Sequence, residues 1–149
     1  MINNASRAIS VLLVEDNAGD VRLTMEALKE GRVINNVRVA WDGAEALAIL
    51  RKEEPFQDAG RPDLILLDLN LPKIAGREVL AEIKRDESLR RIPVVVLTTS
   101  DSEEDILRSY NLHANCYIKK PADLEQFFTL MKSLNEFWFS VVMLPRNEV

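Results

Sequence analysis

The sequence predicts an α/β domain on a doubly wound, five-stranded parallel sheet, (βα)5, and three observations predict it. Five short strand-like segments alternate with five segments of helical periodicity; several strands are almost wholly apolar; and the first, third and fourth stop abruptly at polar or acidic residues. Strands that are apolar on both sides need helices on both faces of the sheet.

Ile9 to Val14 is the first such run and stops at Glu15-Asp16-Asn17. Val21, Met25 and Leu28, at i, i+4 and i+7, mark a helix ending near Gly31. A second strand, Val37 to Trp41, meets the turn pair Asp42-Gly43, and a helix follows from Ala44 to Lys52. Residues 54–62, with two prolines and a glycine, read as a loop. Asp63 to Asp68 is the third strand. Leu71-Pro72 breaks the chain before a helix with Val79, Leu80 and Ile83 on one face. Pro93 opens a fourth strand that ends in Thr98-Thr99-Ser100. Ser100 and Glu103 fit a capping box for a helix over 102–112. Asn115 to Lys119 is the fifth strand, and Pro121 leads into a long final helix.

Composition narrows the function. The 149 residues are 47% hydrophobic and 29% charged, the balance of one globular domain. A net charge of -5 offers no basic footprint for nucleic acid. One cysteine, Cys116, cannot form an internal disulfide, so a cytoplasmic location is expected. The N-terminus has no secretory pattern, and Lys132, Asn135 and Glu136 interrupt the most apolar stretch, so no membrane span is expected.

In an open parallel sheet, ligands sit beyond the carboxyl ends of the strands. There the sequence places Glu15, Asp16, Asp68, Thr98 and the pair Lys119-Lys120. Singly, each reads as a polar strand end meeting solvent. Together the acids are a liability, since two unit charges about 4 Å apart repel by roughly 4 kcal/mol at an effective dielectric of 20. A hard cation would relieve them, and Mg²⁺ suits one or two carboxylates with several waters. An arriving phosphoryl group explains the cation, because its transfer needs positioning and charge stabilisation above all. Asp68 then reads as a nucleophile, with Asp16 and Asp68 as direct metal ligands. Glu15 reaches the metal through water, and Asn70 offers its backbone carbonyl. Thr98 and a lysine serve the phosphoryl oxygens.

Leu12-Leu13-Val14-Glu15-Asp16, Asp68-Leu69-Asn70-Leu71-Pro72, Pro93 to Thr98 and Tyr117-Ile118-Lys119-Lys120-Pro121 together resemble the receiver domain of two-component response regulators. The resemblance implies a flavodoxin-like fold over residues 8–134, a phosphoacceptor at Asp68 and phosphoryl transfer from a histidine kinase. It selects Lys120, directly before the proline, as the functional lysine, and it implies a cis Lys120–Pro121 peptide. Lys119 should point elsewhere. It also implies a switch pair, Thr98 and Tyr117, acting on the α4-β5-α5 surface, and no enzymatic activity beyond the domain's own phosphorylation and dephosphorylation.

The last segment, 135–149, is an apolar extension. Phe127, Met131, Phe137 and Trp138 leave its approach little polar face, so a homodimer contact is expected, with Val141 to Pro145 as an added arm. The alternative is a tail folded onto its own domain. The extension, the Asn17-Ala18-Gly19-Asp20 turn and the loop before the third strand resemble the single-domain cyanobacterial phytochrome response regulators, which implies a bacterial phytochrome as the kinase. Other chemistries fit less well. A haloacid-dehalogenase-like phosphatase wants an acid where Asn70 stands, a dinucleotide site or P-loop wants a glycine-rich first turn, and Cys116 and His113 lack catalytic partners. A phosphorylation-independent interaction module remains the alternative.

Overall fold

The computed structural model describes residues 8–31, 35–99 and 103–141. Its elements run β1 (Ile9–Val14), α1 (Ala18–Lys29), β2 (Asn35–Ala40), α2 (Gly43–Leu50), β3 (Leu64–Leu67), α3 (Gly76–Arg85), β4 (Val94–Thr98), α4 (Glu103–Asn111), β5 (Cys116–Lys119) and α5 (Leu124–Leu134), then a π-helix, Asn135–Val141. All strands pair in parallel in the order β2-β1-β3-β4-β5. The chain therefore winds outward from β1 in both directions, as the alternating pattern requires.

The strand pleat divides the core in two. Ile9, Val11 and Leu13 point to one face with α1 and α5, while Leu12 and Val14 point to the other with α2 and α3. Both sets are buried to within a few per cent, which is why β1 carries no polar residue on either side after Ser10. Asp63 extends the β1–β3 pairing: its carboxylate accepts from the Ser10 N–H at 2.9 Å, and its own N–H donates to the Ser10 carbonyl. Lys84 ties the end of α3 to the starts of β4 and β5, donating to the Arg90 and Ile92 carbonyls and to Asn115 Oδ1.

Several details differ from the sequence expectation. In α1 the buried residues are Val21, Thr24, Ala27 and Leu28, whereas Met25 lies on the exposed side. β2 ends at Ala40, so Trp41 stands outside it, 44% exposed. Among the described residues the one cis peptide is Glu54–Pro55, so Lys120–Pro121 is trans. The Lys120 N–H donates to the Thr98 carbonyl at 2.7 Å, extending the β4–β5 ladder, and strand alternation turns Lys119 outward and Lys120 inward. The expected capping box at Ser100 lies outside the described residues, as does most of the Val141–Pro145 arm.

The α5-to-π junction has a specific cause. Asn135, fully buried, donates its side-chain amide to the Leu28 carbonyl at 3.1 Å, at the C-terminal end of α1. Asn35 donates to the same oxygen at 2.9 Å. A side chain at Gly31 would meet the Asn135 amide at 1.9 Å, so only glycine leaves room for this lock. An Asn135→Ala variant is expected to lose about 1–3 kcal/mol, the cost of deleting a buried hydrogen-bonded group. Urea unfolding measures it, and a loss too small to move the midpoint would show that the Asn135 amide adds nothing to the Asn35 bond on the Leu28 carbonyl.

Candidate functional site

One backbone hydrogen bond just beyond β1, β3 and β5 fixes the groups at the carboxyl rim. The Glu15 N–H donates to the Ala40 carbonyl at 3.0 Å and the Asp68 N–H to the Val14 carbonyl at 3.1 Å, so both acids stay in register with the sheet. Glu15, Asp16 and Asp68 present carboxylate oxygens within 4.8 Å of one another. Glu15 and Asp68 are buried, and Asp16 is exposed.

Lys120 is the centre of the charge network. Its ammonium donates to Glu15 Oε1, to Asp20 Oδ2 at 2.9 Å and to Asp68 Oδ2 at 3.1 Å. An ammonium has three N–H donors, and all three are used. The second oxygens of Glu15 and Asp68 accept from the N–H groups of Asn17 (3.2 Å) and Asn70 (3.0 Å).

Burial, and then the charge of Asp68, push the Glu15 carboxyl up to about 7, against the lowering pull of Lys120 and the Asn17 N–H. Burial alone would lower Lys120, but Glu15, Asp20 and Asp68 outweigh it and hold the ammonium well above the ordinary lysine value. The rim thus keeps its cation protonated at any physiological pH.

Thr98 ends β4 fully buried, and its Oγ1 is the one buried side-chain polar atom among the described residues without a hydrogen-bond partner. A buried hydroxyl left unpaired costs stability unless something else completes it. An anion's oxygen at the rim would do so. Three clustered carboxylates beside an orphaned hydroxyl and an ammonium therefore fit a hard divalent cation together with a phosphoryl group.

Tyr117 is half-buried in β5, opposite Val96 in register and on the same sheet face as Thr98. Asp20 entered the sequence reading only as part of a turn, not as a site residue; it lies in the first turn of α1, where Asn17 Oδ1 accepts from its N–H at 2.9 Å. A first-turn acid ordinarily answers the helix dipole, so its reach to Lys120 is visible only in three dimensions. The rejected nucleophiles stay rejected: burial raises the Cys116 thiol, and His113 is exposed in a turn at φ 69°.

The β3–α3 loop is held by a close approach. A side chain on Gly76 would stand 2.3 Å from the Asp68 carbonyl oxygen and 2.5 Å from Leu69 Cα, both backbone atoms, while the Gly76 N–H donates to the Leu69 carbonyl. A Gly76→Ala variant is expected to lose about 1–3 kcal/mol through overpacking. It should also bind a divalent cation, with Mg²⁺ as the probe, more weakly if Asp68 shifts. Calorimetry decides: Mg²⁺ affinity equal to wild type would mean that the acid stays in place.

The residues expected at a dimer contact divide. Phe127 (3% exposed) and Met131 (0%) face their own core beside α1 and the sheet, so they offer nothing to a second copy. The chain's own α1 and sheet cover the face of α5 that carries them, while Glu125, Gln126, Thr129 and Lys132 are exposed on the other. Phe137 is 54% exposed and meets the half-buried Trp138 edge to face, ring centroids 6.0 Å apart.

A family model described as the response regulator receiver domain matches residues 11–132. Response regulator Rcp1 of Synechocystis sp. is 48% identical over 135 residues, 91% of this chain and 92% of that protein. Among solved structures, the phosphorylated cyanobacterial phytochrome response regulator RcpA is 56% identical and aligns with a TM-score of 0.91 over 94% of this chain and 100% of its own. The Mn²⁺-bound form of Rcp1 is 47% identical, with a TM-score of 0.90 over 93% and 99%.

Proposed function

Because this chain belongs to the response regulator receiver domain family, acting as a phosphoacceptor in two-component signal transduction, we propose that Asp68 is the residue that takes the phosphoryl group, from a phytochrome-type histidine kinase. The observation that carries this reading is the convergence of Asp68, two further acids and Lys120 at the rim where β4, the neighbour of β3, ends in the unpaired Thr98 hydroxyl.

An Asp68 carboxylate oxygen attacks the phosphorus of a phosphohistidine. The P–N bond breaks, its electron pair returns to the imidazole, and the ring takes up a proton. Asp68 needs no base, being already a carboxylate. Lys120 and Thr98 donate to phosphoryl oxygens as charge shifts onto them. Asp16, Asp68 and the Asn70 carbonyl would hold Mg²⁺, with Glu15 through water, and the ion would supply charge neutralisation between the carboxylates and the phosphoryl group. The domain catalyses only its own phosphorylation and dephosphorylation.

Thr98 then turns toward the phosphoryl group and Tyr117 enters the space released, altering the α4-β5-α5 surface. Support for this switch is their placement on one sheet face, on neighbouring strands. The kinase class is supported by the likeness to RcpA and Rcp1 and to a bacteriophytochrome response regulator 40% identical at a TM-score of 0.73. We place the protein in the cytoplasm, in keeping with its free thiol Cys116, as a homodimer whose contact includes Phe137 and Trp138. No described helix is long and apolar enough to cross a membrane, and the acidic charge disfavours nucleic acid.

Phosphotransfer from an autophosphorylated bacterial phytochrome tests the reading. Label should pass to this chain within minutes in Mg²⁺ and stay on the kinase in EDTA. Label retained by the kinase in Mg²⁺, while a known cognate regulator discharges it, would contradict the assigned partner.

A further inference from the structure

We infer that Asp20 is a resting-state latch on Lys120: a positioning residue that holds one ammonium N–H and must release it before the phosphoryl group can be fully bound. The inference rests on the phosphoacceptor reading above and adds a residue to it.

The Lys120 ammonium has no donor to spare. Lys120 has three N–H groups, and Glu15, Asp20 and Asp68 occupy all of them. A phosphoryl oxygen arriving at Asp68 therefore finds no free ammonium proton. The bond to Asp68 Oδ2 can follow the phosphoryl group, since the nucleophile gives up its charge as the acyl phosphate forms. A second oxygen is served only if another acid lets go.

Glu15 is a poor candidate to leave. Its side chain is 4% exposed against 29% for Asp20, so bulk solvent compensates the loss of the lysine far less at Glu15. Asp20 is 29% exposed and stands in the first turn of α1, where solvent and the helix N-terminus both stabilise a free carboxylate. Asp20 is thus the contact that can be given up, and the phosphoryl group must compete with it.

Beryllium trifluoride, which adds to a carboxylate as a phosphoryl mimic without turnover, measures that competition at saturating Mg²⁺. Asp20→Ala should bind it about three- to tenfold more tightly, the worth of one partly screened charge-assisted hydrogen bond, and Asp20→Glu should stay near wild type. Acetyl phosphate should follow: its phosphorus is attacked by Asp68, acetate leaves with the bonding electron pair, and the half-saturating donor concentration falls by a similar factor in Asp20→Ala. If Asp20→Ala does not fold, Asp20→Asn, which keeps the side-chain shape without the charge, carries the same expectation. Equal or weaker binding by the folded variant overturns the latch. A wild type that takes up neither beryllium trifluoride nor acetyl phosphate in Mg²⁺ overturns instead the phosphoacceptor reading beneath it.

Discussion

Replacing Lys120 by methionine is expected to cost the metal-free protein about 3–5 kcal/mol above pH 7 and to slow phosphorylation by about 10²–10³-fold. The first effect follows from burial. Lys120 and Glu15 side chains are each 4% exposed and Asp68 9%, so removing the ammonium leaves two facing carboxylates that water barely reaches. The second follows from the loss of the donor aimed at the transferring group.

Linkage fixes the pH dependence. Glu15 stands near 7, above its ordinary 4.5, so its contribution to folding is complete below pH 4.5 and is lost as pH rises through about 7. Lys120 is also raised, so its contribution persists at every pH below the ordinary lysine value of 10.5. In Lys120→Met the compensation for an ionised Glu15 is gone. The stability deficit should therefore shrink as pH falls from 8 to 5, where Glu15 takes a proton instead. Added Mg²⁺ should recover part of it at pH 8. Urea unfolding across pH, with and without Mg²⁺, checks the first effect, and acetyl phosphate kinetics check the second. A deficit independent of pH, or a wild-type rate, would contradict this account of the rim.

How much of this was legible beforehand depends on the range of each signal. β1, β3 and β4 announce themselves because each is buried on both faces and stops at Glu15, Asp68 or Thr98; the pattern is local and the chemistry sits at its end. The rim residues followed from topology alone, since parallel strands share one carboxyl edge. Asp20 was hidden because its partner is 100 residues away, and a first-turn acid already has a local explanation. Phe127 and Met131 were misplaced for a related reason. An all-round apolar helix demands two covers, and sequence does not distinguish a second copy from the chain's own α1. Met25 misled because periodicity marks a face by its large residues. The α1 interior is instead filled by Thr24 and Ala27, small enough for close packing. Gly31 reads locally only as a helix end and Gly76 carries no local signature; what requires each is another part of the chain, Asn135 or the Asp68–Leu69 backbone, standing in the place of its Cβ.

Of the rim groups, Asp68 alone is asked to make a covalent bond, and its substitution has the largest effect of all. Asparagine keeps the shape and can still accept from the Asn70 N–H, but its amide is no nucleophile toward phosphorus and leaves Lys120 one anionic partner short. Intact mass after incubation with Mg²⁺ and acetyl phosphate is the direct measurement. Wild type should gain a single phosphoryl group, labile to hydroxylamine as an acyl phosphate is, while folded Asp68→Asn gains none. A phosphoryl adduct on Asp68→Asn equal to that on wild type would place the acceptor elsewhere and contradict the account.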